Sequence, residues 1–218
     1  AVVAHGADAG ICLDGDADRL IMADETGKII DGDQILGCLA LAMQERGTLA
    51  DNAVVGTVMT NRGLEARLGK AGINLHRVAV GDRYILEKMR QDELNLGGEP
   101  SGHMLMTDLA RSGDGLLTAL QMLTLLKSSG KKASTLFNSF SPHPQRLENL
   151  RGIDPAILQD KKLQSDLGNI ETNLNGKGRV LVRPSGTEAL VRVMVEAETD
   201  ALVTEAMDAL ILRITAEA

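Results

Sequence analysis

Between Asp31 and Ser128 short apolar runs alternate with helix-like segments, and the connections between them are brief. No other feature constrains the fold so tightly. Strands separated by helical crossovers pair as a parallel or mixed sheet with helices on its faces. Residues 53–60, 74–80 and 94–98 read as strands, and 63–71 and 82–91 as helices. Asp33 is expected to cap a helix over 34–46 that stops at Gly47. Gly113-Asp114 opens a long helix that reaches about Ser128. Ahead of this region, residues 10–13, 20–23 and 28–30 read as strands around an acidic loop.

Behind it the order changes. Residues 145–150, 178–183 and 190–198 read as strands and 157–173 as mostly helical. The last segment, 202–216, reads as an amphipathic helix with Leu202, Ala206, Ala209, Leu210 and Ile214 on one stripe. The best boundary is Ser141-Pro142-His143-Pro144. The expected fold class is therefore α/β: a three-layer mixed-sheet domain over 32–142, then a small α+β C-terminal domain over 143–218. Residues 1–31 are expected to be the tail of a further, truncated α/β domain.

The chain has three aromatic residues, Tyr84, Phe137 and Phe140, and no Trp, so its cores are expected to be Leu, Ile, Val, Met and Ala. That argues against a site built on stacked rings. The formal net charge of −7 argues against a nucleic-acid partner, since phosphate-backbone binding rests on Lys and Arg. Cys12 and Cys38 lack metal-ligand spacing and read as two buried thiols in a reducing compartment. The longest apolar stretch, 115–126, carries Thr118 and Gln121 and is well short of the ~20 residues a membrane helix needs. No signal peptide is visible. The chain starts at Ala1 in loop-like sequence, which is expected of a fragment or processed product with a cytoplasmic address.

Three loops could carry chemistry. In Asp14-Gly15-Asp16-Ala17-Asp18-Arg19 three carboxylates at i, i+2 and i+4 repel one another. Hard oxygen donors without His or Cys select Mg²⁺ or Ca²⁺, and a solvated acidic turn is the plain alternative. An EF-hand register starting at Asp14 places Asp at positions one, three and five and Glu25 at twelve. It fails because Arg19 stands where the sharp turn needs Gly, and because the flanks read as strands. The second loop is Glu99-Pro100-Ser101-Gly102-His103. Glu99 and Ser101 suit sugar hydroxyls and His103 a proton or phosphate, but taken alone the loop reads better as an ordinary polar turn with a surface His. In the third, Arg183-Pro184-Ser185-Gly186-Thr187-Glu188 followed by Arg192, hydroxyls, freed amides and guanidinium groups suit a tetrahedral dianion. An ordinary turn is again the alternative.

Taken in order, the three loops resemble the metal-, sugar- and phosphate-binding loops of the α-D-phosphohexomutases. The resemblance covers essentially the whole chain. Gly81-Asp82-Arg83-Tyr84-Ile85-Leu86-Glu87 after Val78-Ala79-Val80, and Thr57-Val58-Met59-Thr60-Asn61 before Gly63-Leu64-Glu65, are similar to the branch that acts on hexosamine phosphates. The resemblance implies that Asp14, Asp16 and Asp18 ligate Mg²⁺ and that Arg19 sits against the reacting phosphate. Glu99 and Ser101 would hold sugar hydroxyls with His103 near the proton transfer, and Arg83 would face the same cleft. Arg183, Ser185, Gly186, Thr187 and Arg192 would hold the phosphate that is not reacting.

The implied reaction interconverts glucosamine 6-phosphate and glucosamine 1-phosphate through a phosphoserine enzyme and a bisphosphate intermediate. Two small departures are Ala17 for a frequent Gly and Ala189 for a frequent Pro. The large one is that no Thr-Arg-x-Ser-Gly-like nucleophile segment occurs among the 218 residues, so the chain alone is expected to be inactive. The alternatives are the mannose or glucose phosphate branch, or a non-catalytic module that binds a sugar phosphate or Ca²⁺. A hexosamine phosphate is the expected partner, with no nucleic acid and no membrane.

Overall fold

The structure, a computed structural model, describes residues 1–184 and 190–216, and they form two compact units, Ala1–Pro142 and His143–Ala218. In the first unit a short helix α1 (Val2–His5) precedes the antiparallel strands β1 (Ala9–Leu13), β2 (Leu20–Asp24) and β3 (Ile29–Ile30). There follow α2 (Gly32–Glu45), β4 (Ala53–Thr57), α3 (Arg62–Lys70), β5 (Asn74–Val78), α4 (Asp82–Gln91), β6 (Leu96–Gly98), β7 (Met104–Met106), α5 (Gly115–Ser129) and α6 (Ala133–Leu136).

The central sheet has the order β5-β4-β6-β7. β4 is parallel to β5 and β6, and β7 is antiparallel to β6. Every residue of β4 is buried, as a strand covered on both faces requires. Val54 packs with α2, α3 and α5 through Ile35, Leu39, Leu64, Leu68 and Met122. Ala53 and Val55 face the opposite core, with Ile85 and Met89 of α4. This is the expected three-layer mixed sheet. The cores are aliphatic, with Phe137 and Phe140 as their aromatic members. Leu20, Met22 and Ile30 join the larger core, so residues 1–31 lie in the same compact unit as residues 32–142.

The second unit contains β8 (Gln145–Arg151), α7 (Lys161–Asn173), β9 (Gly178–Pro184), β10 (Leu190–Ala197) and α8 (Asp200–Ala216), with sheet order β8-β10-β9, all antiparallel. Val191, Val193, Val195 and Ala197 alternate onto the face covered by α7 and α8. Among the described residues no helix is long and apolar enough to cross a membrane.

Three expectations need correction. The cap of α2 is Asp31, whose side chain accepts from the Gln34 amide at 3.0 Å. Asp33 is buried in the first turn, where its Oδ2 accepts from the Asn61 amide at 2.8 Å. The buried stripe of α8 is Val203, Ala206, Met207, Leu210 and Ile214, so Leu202 and Ala209 lie at its margin. Cys12 is exposed, because the end of β1 is uncovered on both faces, with its neighbours Ile11 and Leu13 exposed too, whereas Cys38 is buried and its thiol is pushed up to about 12 by burial.

Candidate active site

The acidic loop joins β1 to β2, and the register Leu13↔Leu20 closes it into a tight hairpin end. One ligand oxygen each from Asp14, Asp16 and Asp18 can lie within 4.8 Å of the others. Strands flank the loop, so the helix–loop–helix of an EF-hand is absent here. Ala17 sits at φ 61, a left-handed conformation that costs an alanine about 1–2 kcal/mol and a glycine far less.

Arg19 ties the loop together. Its Nε donates to Asp14 Oδ2 at 2.6 Å and its backbone amide to Asp14 Oδ1 at 3.2 Å. Desolvation works to raise the Asp14 carboxyl, but these bonds and the Arg19 charge outweigh it and hold the group below its ordinary value. The hydrogen bond and charge of Asp14 in turn raise Arg19. Asp18 Oδ1 is buried and has no hydrogen-bond partner, and the Arg19 Nε lies 3.6 Å from it. An orphaned carboxylate oxygen beside two further carboxylates fits a hard divalent cation.

The turn at 99–103 meets this loop directly. Arg19 and His103 form an antiparallel bridge, and the Leu20 amide donates to Gly102 O at 3.0 Å. His103 is 7 % exposed, and its Nδ1 lies 3.0 Å from Asp18 Oδ2. With a carboxylate at Nδ1, that nitrogen carries the proton, and Nε2 is left buried without a partner. Gly113 makes room for the ring, since a Cβ there would lie 2.3–2.9 Å from its atoms. Sequence reasoning misses that contact, because Gly113-Asp114 signals only a helix start. Glu99 Oε1 accepts from the Gly81 amide at 2.9 Å and Oε2 from Ser101 Oγ at 3.2 Å. Arg83 donates from Nη2 to the Tyr84 hydroxyl at 2.6 Å, with its Cζ 4.4 Å from that ring's centroid.

The first unit therefore gathers Asp14, Asp16, Asp18, Arg19, Glu99, Ser101 and His103 around two joined turns, and Arg83 is linked to them through Gly81. In the second unit Arg183 and Arg192 stand directly opposite each other on β9 and β10. At the other end of the same strands, Arg179 Nε reaches Glu196 Oε2 at 2.6 Å. No acid pairs with Arg183 or Arg192 among the described residues. Like charges facing across a ladder are destabilising unless an anion lies between them. Ser185, Gly186 and Thr187 lie outside the described residues.

Residues 31–143 match the family described as phosphoglucomutase/phosphomannomutase, alpha/beta/alpha domain III, and residues 145–213 match its C-terminal domain. A phosphoglucosamine mutase from Roseobacter denitrificans is 53% identical over 211 residues, which is 96% of this chain and 47% of that one. The chain thus spans about half the length of the curated relatives it matches. A phosphoglucomutase/phosphomannomutase family protein from Burkholderia thailandensis shares the fold, with a TM-score of 0.82 at 24% identity over 99% of this chain and 48% of that one. So does Aspergillus fumigatus N-acetylphosphoglucosamine mutase, determined with GlcNAc-6P and magnesium, with a TM-score of 0.75 at 20% identity over 94% of this chain and 48% of that one. With residues 31–143 and 145–213 both matched, this chain belongs to the phosphoglucomutase/phosphomannomutase family.

Proposed function

We propose that the chain carries the metal-, sugar- and phosphate-holding part of a cytoplasmic phosphoglucosamine mutase, which interconverts glucosamine 6-phosphate and glucosamine 1-phosphate. The single observation that carries this reading is the bond between the acidic loop and the sugar turn, Asp18 to His103 at 3.0 Å, across 85 residues of sequence. The amino-sugar branch is favoured over the mannose and glucose branches by relatives of that name at about half identity across nearly the whole chain.

Asp14, Asp16 and Asp18 would hold Mg²⁺, which when bound neutralises charge on the transferring phosphoryl group. Arg19, held to Asp14 through Nε, keeps its Nη groups for the reacting phosphate. Glu99 and Ser101 accept and donate to neighbouring sugar hydroxyls, and Arg83 adds a cation to that side. His103, its ring fixed by Asp18 at Nδ1, stands near the proton transfer. Arg183, Ser185, Gly186, Thr187 and Arg192 hold the phosphate that is not reacting. Phosphoryl transfer asks the protein mainly for positioning and charge neutralisation, and these groups supply both. The phosphoserine of the cycle is not found in its motif among the 218 residues.

Calorimetry on the purified chain tests the metal assignment. Weak Mg²⁺ binding is expected, because three carboxylates supply only part of the oxygen ligands that a hard cation takes, and it should vanish in Asp16→Asn. Binding that survives the substitution would overturn the assignment.

A further inference from the structure

The chain fills its cores almost without aromatic residues, yet its one tyrosine stands at the entrance of α4. Tyr84 is half-buried, and the core face of α4 is made by Ile85 and Met89 instead. Its ring and hydroxyl are both used on Arg83: the guanidinium carbon lies 4.4 Å from the ring centroid and Nη2 donates to the hydroxyl at 2.6 Å. Two contacts on one side chain fix a long cation that would otherwise sample many rotamers in solvent.

The turn that presents this pair is itself anchored. Gly81 adopts φ 130, a conformation that glycine tolerates, and a Cβ there would meet Tyr84 Cδ2 at 3.4 Å. The Gly81 amide donates to Glu99 Oε1 at 2.9 Å, so the backbone two residues before Arg83 is pinned to the sugar turn. Glu99 and Tyr84 together leave Arg83 little freedom, Glu99 through the backbone and Tyr84 through the side chain.

We infer that Tyr84 is a positioning residue that holds Arg83 ready for the anionic sugar phosphate, an inference that rests on the function proposed above. Pre-ordering of this kind raises affinity by removing the entropy that a mobile arginine loses on binding.

The test uses the chain itself, with glucosamine 6-phosphate as probe. In ¹H–¹⁵N spectra the Arg83 Nε–H signal should be displaced by the ring current of Tyr84 and collapse towards the free-arginine position in Tyr84→Ala. The same variant should bind the probe about three- to ten-fold more weakly. Tyr84→Phe, which keeps the ring, should fall between the two. In an Arg83→Ala background Tyr84→Ala should have no further effect on binding, a coupling that a merely structural role would not produce. If the Arg83 signal moves but affinity does not, or if the two substitutions add, Tyr84 does not act through Arg83 and the inference fails with the site intact. If the probe, added to the wild-type chain, perturbs none of residues 81–83 or 99–103, the sugar site is misassigned and the inference falls with it.

Discussion

Gly102→Ala is expected to lower the melting temperature of the first unit by roughly 10 °C and to abolish Mg²⁺ binding. Gly102 sits at φ 93, and a Cβ there would lie 2.0 Å from Leu20 O and 2.7 Å from Leu20 C. These are backbone atoms of a fully buried residue, so no rotamer change relieves the overlap. The left-handed backbone alone costs about 1–2 kcal/mol, and separating the turn from β2 brings the total to about 3 kcal/mol or more. What separates is the seam between the two turns: the Leu20–Gly102 hydrogen bond, the Arg19–His103 bridge and the Asp18–His103 contact. A thermal melt followed by a Mg²⁺ titration checks this. Wild-type behaviour in both would mean that the seam does not organise the acidic loop.

Arg183→Ala is the second large effect, with glucosamine 6-phosphate binding expected to weaken by about one to two powers of ten. A charge-assisted hydrogen bond to phosphate contributes roughly 1.5–3 kcal/mol. The fold should be unharmed. Arg183 faces Arg192 across the ladder, and removing one of two opposed like charges relieves repulsion worth a few tenths of a kcal/mol. Loss of affinity with unchanged or slightly raised stability is a signature that a structural arginine cannot give. Calorimetric titration and a melt on the same preparation separate the two.

The three-layer sheet is legible in the sequence because β4 is an apolar run after Asp51-Asn52 and α4 carries a helical apolar period between Gly81 and Asp92. β7 is not, since Met104–Met106 is too short to show an alternation and comes immediately after the sugar-type turn. The phase of α8 is misread because the helix is apolar on most sides, with even Leu212 67% exposed, so periodicity alone does not select a face. The α2 cap is misplaced because Asp31 and Asp33 both satisfy the local rule, and only the demand of the Asn61 amide keeps Asp33 for another partner.

For the site, chemistry within one loop can be read from residue types and spacing. Meetings between loops cannot. Asp18 with His103 and Glu99 with the Gly81 amide depend on how separate turns meet in the folded unit, which no local pattern encodes. Gly113 belongs to the same class, for its role is the empty space it leaves beside the imidazole of His103.

The central claim is that these loops bind a hexosamine phosphate, and amide chemical shifts of the chain titrated with glucosamine 6-phosphate in the presence of Mg²⁺ test it most directly. The account predicts shifts at Asp14–Arg19, at Glu99–His103, and at Arg183 through Arg192, Ser185 to Glu188 included. Silence in those segments while other loops respond would contradict it.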